Sequence, residues 1–181
     1  MKYLFGWSWH ELLRQPIREM TEAQAKASWT KGPQVCVAAG PELEVGVVPA
    51  YTLSMSAQAE DVRVTHYTPA GSIEAVLDYE TTEGRLFLMQ VTEYLYPDQD
   101  RYYSQPQCTA VRIFFFRPDG TGQLRTNIAA AEAVTVEEFS GVDVSPTGST
   151  RSPPGATGTA SAPTTRRPGP VRPALAGTLA R

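Results

Sequence analysis

The hydrophobic pattern of the chain changes character once, near Pro33. Upstream, the signals are those of short helices. In "SWHELLRQP" Ser8 is placed to cap the amide of the third helical residue while Glu11 reaches back to it, a capping box, with Leu12 and Leu13 on one face and Pro16 as the break. A second box, Thr21 with Gln24, predicts a helix through "AQAKASW" that Gly32 ends.

Downstream, the runs "QVCVAA", "GVVPAYTLSMS", "DVRVTHYT", "SIEAVLDYETT", "GRLFLMQVTEYLY" and "CTAVRIFFFR" are rich in Val, Ile, Tyr and Phe. Clusters of Pro, Gly, Asp and Ser separate them, as turns separate strands. "FRPDGTGQ" predicts a hairpin connection, with Pro118 presetting the turn and Gly120 supplying a positive φ. In "SIEAVLDYE" the set Ile73, Ala75, Leu77 and Tyr79 is apolar, while Glu74, Asp78 and Glu80 share the opposite face with Val76. "RLFLMQVTEYLY" and "AVRIFFFR" are apolar on both faces, which predicts central strands covered by the N-terminal helices. The pattern as a whole predicts an α+β fold, with short N-terminal helices packed on a curved, mainly antiparallel sheet.

Composition divides the chain at Ser145. Residues 1–145 hold 11 Lys and Arg against 19 Asp and Glu, a net charge of −8, and are expected to form a single acidic domain. Residues 146–181 carry five Arg and no acid, with seven Pro and seven Thr among 36 residues. Such a segment buries too little apolar area to offset its ordering entropy and is expected to be a disordered tail. It reads as a solvated spacer more readily than as a basic arm, since only Arg166 and Arg167 are adjacent. The abrupt change after "EEFSGVDVSP" also fits translation of a GC-rich message out of frame.

Targeting and metal signals are sparse. Glu11 and Arg14 interrupt "MKYLFGW" before a signal-peptide core forms, and no apolar stretch is long enough for a membrane helix. Two cysteines give no disulfide framework, so a soluble cytoplasmic protein with no membrane contact is expected. His10, Cys36, His66 and Cys108 are all more than 25 positions apart, without metal-ligand spacing, and are read as structural. Asp98 and Asp100 have DxD spacing, yet an EF-hand loop would then place Gly and a carboxylate where Tyr103 and Thr109 stand. There is no phosphate loop, and neither a cofactor, a metal nor a catalytic residue is assigned.

Surface chemistry is what remains. "EYLYPDQDRYYSQPQ" gathers Tyr94, Tyr96, Tyr102 and Tyr103 around Asp98, Asp100 and Arg101, between Pro97 and Pro106. Tyr and Arg are enriched at binding hot spots, because a tyrosine buries much area with little rotamer entropy to lose. With Glu74, Asp78 and Glu80, this segment is the expected binding site of a non-enzymatic module, immunity-like or accessory, for a basic protein. An acidic body repels nucleic acid. Small acidic proteins that neutralise cationic bacterial toxins have this character, although no motif matches one of their families. The alternative is a small enzyme or small-molecule binder with a pocket between sheet and helix, using His66, Tyr67, Glu93 and Arg112.

Overall fold

The computed structural model describes residues 1–32, 34–56, 60–131 and 133–142. The expected domain end at Ser145 and the segment 146–181 lie outside the described residues. In chain order the elements are β1 (Lys2–Gly6), β2 (Ser8–His10), β3 (Gln15–Ile17), α1 (Glu22–Lys31), β4 (Val35–Gly40), β5 (Tyr51–Ser56) and β6 (Asp61–Tyr67). Then follow β7 (Ile73–Thr82), β8 (Arg85–Leu95), β9 (Ala110–Phe116), β10 (Gly122–Ile128) and β11 (Ala133–Phe139). Among the described residues nine strands form one sheet in the order β1-β4-β5-β6-β7-β8-β9-β10-β11, and β2 pairs with β3 in a separate hairpin. Every pairing is antiparallel.

The fold is therefore mostly β, and the α+β expectation is overturned: among the described residues there is a single α-helix. The Thr21–Gln24 box does build it. Gln24 N–H donates to Thr21 Oγ1 at 3.3 Å and Thr21 N–H to Gln24 Oε1 at 2.8 Å, while Gly32 closes the other end at φ 90°. The Ser8–Glu11 box does not build a second one. Only seven residues separate Ser8 from Pro16, too few to offset the cost of helix nucleation, and the segment folds as the β2–β3 hairpin instead. Its turn puts Arg14 at φ 51°, with Leu13 N–H donating to His10 Nδ1 at 3.3 Å.

All six strand runs form strands, and the Pro118–Gly120 connection forms the β9–β10 hairpin, with Gly120 at φ 79°. The helix does not cover β8 and β9, as their two-sided apolar pattern suggested. It lies instead toward the other end of the sheet, where Ala25 and Trp29 pack with Val35, Val37, Met55 and Val62. A second cluster of Val64, Leu77 and Val91, flanked by Phe114 and Phe116, continues the same sheet face without the helix. On the opposite face Gly6 lets the β3 backbone approach, since a Cβ there would stand 2.8 Å from both Ile17 O and Pro16 Cβ. With α1 on one side and the hairpin on the other, β4 is buried at every residue.

Candidate functional site

Consecutive antiparallel strands return their connections to alternate ends of a sheet, so the loops 41–50, 68–72 and 96–109 leave the same end. The β2–β3 turn joins them through Arg14. Gly46 N–H donates to Arg14 O at 2.9 Å, and the Arg14 guanidinium donates to Ala70 O at 3.1 Å. Gly71, at φ 96°, leaves room for this contact: a Cβ would lie 3.2 Å from Val48 and 3.5 Å from the guanidinium. The last loop is tied in by Tyr103 N–H, which donates to Ser72 Oγ at 2.7 Å. Loops held this way on a sheet form a fixed surface of the kind that carries binding residues.

Within loop 96–109 the expected site residues separate into two roles. Tyr103 is an internal anchor, only 6% exposed, with Tyr96 stacked on it at 5.5 Å. Its hydroxyl donates to Asp98 Oδ2 at 2.7 Å and accepts from Arg101 Nε at 2.6 Å, and the Arg101 guanidinium lies 4.8 Å over its ring. The Tyr103 hydrogen bond holds the Asp98 carboxyl below the usual carboxylate range, so this surface acid stays ionised. Asp98, Asp100 and Arg101 form the exposed tip, and Tyr102 is half-buried beside it. Asp100 N–H caps Asp98 Oδ1 at 3.1 Å, a local turn that accounts for the DxD spacing.

The acidic trio is dispersed. Asp78 lies near Tyr94 but is paired to Arg63 at 2.6 Å. Glu74 occupies a bulge between β6 and β7, close enough to favour the charged form of His66. Glu80 stands toward the opposite end of the sheet, facing Asp61 across the strands.

Two groups at the loop-bearing end keep an energetic cost that the fold does not relieve. Glu11 is half-buried in the β2–β3 turn, and burial pushes its carboxyl above the ordinary range, with nearby His10 opposing. Its charge in turn raises Tyr67, Tyr96 and Tyr102, although burial is the larger cause for each, so Glu11 has all three phenols around it. Among the described residues the Tyr96 hydroxyl is buried without a hydrogen-bond partner. Tyr67 by contrast is satisfied by Thr52 Oγ1 at 3.0 Å. Native proteins leave few buried polar groups unpaired, and those they keep are candidates for function. Sequence reasoning missed Glu11 because it assigned the carboxylate to a helix cap.

This end carries both exposed apolar side chains and exposed acids. Leu12 and Leu13 at the turn are 65% and 56% exposed, and Val45, beside the Gly46–Arg14 contact, is 56% exposed. Glu42 and Glu44 are exposed on loop 41–50, on either side of the buried Leu43.

The residues of the pocket alternative fall differently. His66, Glu93 and Arg112 lie in one register row on the helix-side face, with Ala75 between the first two, and Arg112 pairs with Glu93 at 2.7 Å. Tyr51 stands beside His66 in the same row, its ring 6.2 Å away. Burial lowers His66, leaving it neutral at pH 7. Tyr67 points to the other face, toward Thr52. The recess under α1, lined by Phe5, Ala25, Trp29 and Met55, holds about 10 Å³, room for no more than one water, and does not include this row. Cys36 is buried, which pushes its thiol up to about 11, opposite to the shift of a reactive cysteine. Among the described residues no three His, Cys, Asp or Glu side chains gather as a metal site, and no helix is long and apolar enough to cross a membrane.

No protein-family model, curated protein or solved structure matches this chain.

Proposed function

We propose that the protein is a non-enzymatic binding module that engages a basic protein partner through its loop-bearing end. The observation that carries this reading is the pair of uncompensated groups, Glu11 and the Tyr96 hydroxyl, within one surface made rigid by Arg14 and Tyr103. A cationic side chain placed between them would neutralise the carboxylate and give the phenol a partner, converting two costs in the free protein into contacts in the complex. The exposed acids Glu42, Glu44, Asp98 and Asp100 and the exposed Leu12, Leu13 and Val45 share this end, and interfaces are built from such a mixture of apolar and charged groups.

The test is capture on the immobilised full chain in parallel with a Glu44→Gln, Asp98→Asn, Asp100→Asn variant, with retained proteins identified by mass spectrometry. The reading expects a basic protein that is released by salt and reduced at least about tenfold on the variant, the scale of a few lost charge contacts. A partner held equally by both forms would place binding elsewhere. Retention of nothing above the control resin would remove the reading.

The row of Tyr51, His66, Glu93 and Arg112 supports a second reading, a small-molecule binder on the open helix-side face. Titration of the His66 ring protons with a small-molecule library checks it. Shifts confined to this row would favour it over the loop surface.

A further inference from the structure

The fold treats the two edges of its large sheet differently. Beyond β1 lies the segment leading into α1: Met20 N–H donates to Phe5 O at 2.9 Å and Trp7 N–H to Ile17 O at 2.9 Å, so the outer side of this strand is partly occupied. β11 has β10 on one side and, among the described residues, no strand on the other. Open edges are usually blunted by charged side chains, above all lysine, by proline or by a bulge, because their unpaired amides and carbonyls invite another strand. "AVTVEEF" contains no proline or lysine, its charges are confined to Glu137 and Glu138 near one end, and its seven residues pair with β10 in unbroken register. Val134 and Val136 are 47% and 55% exposed, on the same face as Ile113 and the exposed Phe115.

We infer that β11 is the seam of a homodimer, in which a second copy adds its own β11 antiparallel about a two-fold axis through Val136. The choice of a second copy rests on charge and length. Two identical antiparallel strands centred on Val136 place Thr135 opposite the partner's Glu137, Val134 opposite the partner's Glu138, and Ala133 opposite the partner's Phe139. All seven residues are then paired, and no glutamate faces another. Centring on Glu137 or Glu138 sets like charges against each other at the axis, which is destabilising. Centring on Thr135 leaves Glu138 and Phe139 beyond the end of the partner strand. The register that uses the whole strand is thus also the one its charges permit. It joins the two sheets into one and brings four valines together across the seam on one face. Each copy carries −8 over residues 1–145, so the pairing strengthens as salt screens the repulsion between the bodies.

The test uses the full chain with Cys108→Ser, since Cys108 is partly exposed whereas Cys36 is buried. Residues at the axis have Cβ atoms about 5 Å apart, near enough for a disulfide under mild oxidation. V136C is expected to form a covalent dimer. T135C or E137C alone is expected to cross-link at least fivefold less, and a mixture of the two to cross-link with each other. In sedimentation, the unmodified chain is expected at twice its monomer mass, more completely at high salt. V136K, which sets two lysines at the axis, is expected at the monomer mass with an unchanged far-ultraviolet spectrum. A monomer at every concentration overturns the proposal, as does a dimer that survives V136K. Strongest cross-linking by T135C would overturn the register, and capture of a different protein on β11 by the monomer would replace the second copy as occupant.

Discussion

β4 and β11 are both short, valine-containing strands, yet one is buried at every residue and the other is exposed along almost its whole length. The difference begins in the side chains between the valines. In "VCVAAG" every residue is small or apolar, so α1 approaches one face and the β2–β3 hairpin the other. In "AVTVEEF" the alternate positions are Thr135, Glu137 and Phe139, and no second layer lies over either face of the strand among the described residues. Apolar content alone thus does not decide burial. The size and polarity of both faces decide whether a second layer can settle there.

The comparison breaks most directly on matched substitutions. Val35→Ala, at a side chain only 1% exposed, is expected to cost roughly 2 kcal/mol in lost transfer energy and residual cavity. Val136→Ala is expected to stay within about 0.5 kcal/mol in the monomer. Urea denaturation of both variants checks this, and equal losses would mean that β11 is covered in solution. An effect of the same order is expected at Gly122, which pairs with Phe116 on one side and Phe139 on the other. The Phe139 ring and Phe115 O occupy the space a Cβ would need. Gly122→Ala should therefore cost about 2–3 kcal/mol. Hydrogen exchange should place that loss in β10 and β11 and leave β4 protected.

Below these come the two groups at the loop-bearing end. Tyr96→Phe removes an unsatisfied hydroxyl and is expected to stabilise the free protein by up to about 1 kcal/mol, and Glu11→Gln, which removes a half-buried charge still screened by solvent, by less than that at pH 7. Both should weaken capture of a basic partner. The folded Glu11 carboxyl titrates above its ordinary value of 4.5, so its penalty is present at neutral pH and fades as pH falls through the folded value. The Glu11→Gln gain should disappear below pH 4.5, as thermal melts across that range would record. At neutral pH the last effect is nil. Cys36 ionises near 9.0 in an open chain and near 11 in the fold, so the unfolded state loses its proton first, and stability declines as pH rises from 9 to 11. Cys36→Ala should flatten that alkaline limb, leaving the contribution of the raised tyrosines.

The sheet was legible to different depths. β4 to β9 announce themselves through β-branched and aromatic runs bounded by turn residues, because strand preference there agrees with burial. β1 was hidden inside "MKYLFGW", which resembles the start of a targeting segment, and β11 inside an acidic run whose alternation is weak. The Ser8–Glu11 box misled because a local cap signal says nothing of the tertiary contacts that claim the segment. Trp9 pairs with Pro16, and Arg14 reaches Ala70, 56 residues away. At the candidate site the composition of "YPDQDRYY" singled out one of the loops that leave this end of the sheet. It could not separate Tyr103, turned inward onto Ser72, from the exposed Asp98 and Asp100, since that depends on a contact 31 residues distant.

From β4 onward each strand is hydrogen-bonded to the next one in sequence, which gives the sheet a growth direction. A chain of this kind folds by local closure, one hairpin upon the last, and its late hairpins can fray without disturbing the early ones. The β10–β11 hairpin is then the natural place for such a protein to gain or lose strands over evolutionary time. The loop-bearing surface between β2 and β9, tied together by Arg14 and Tyr103, would persist through either change.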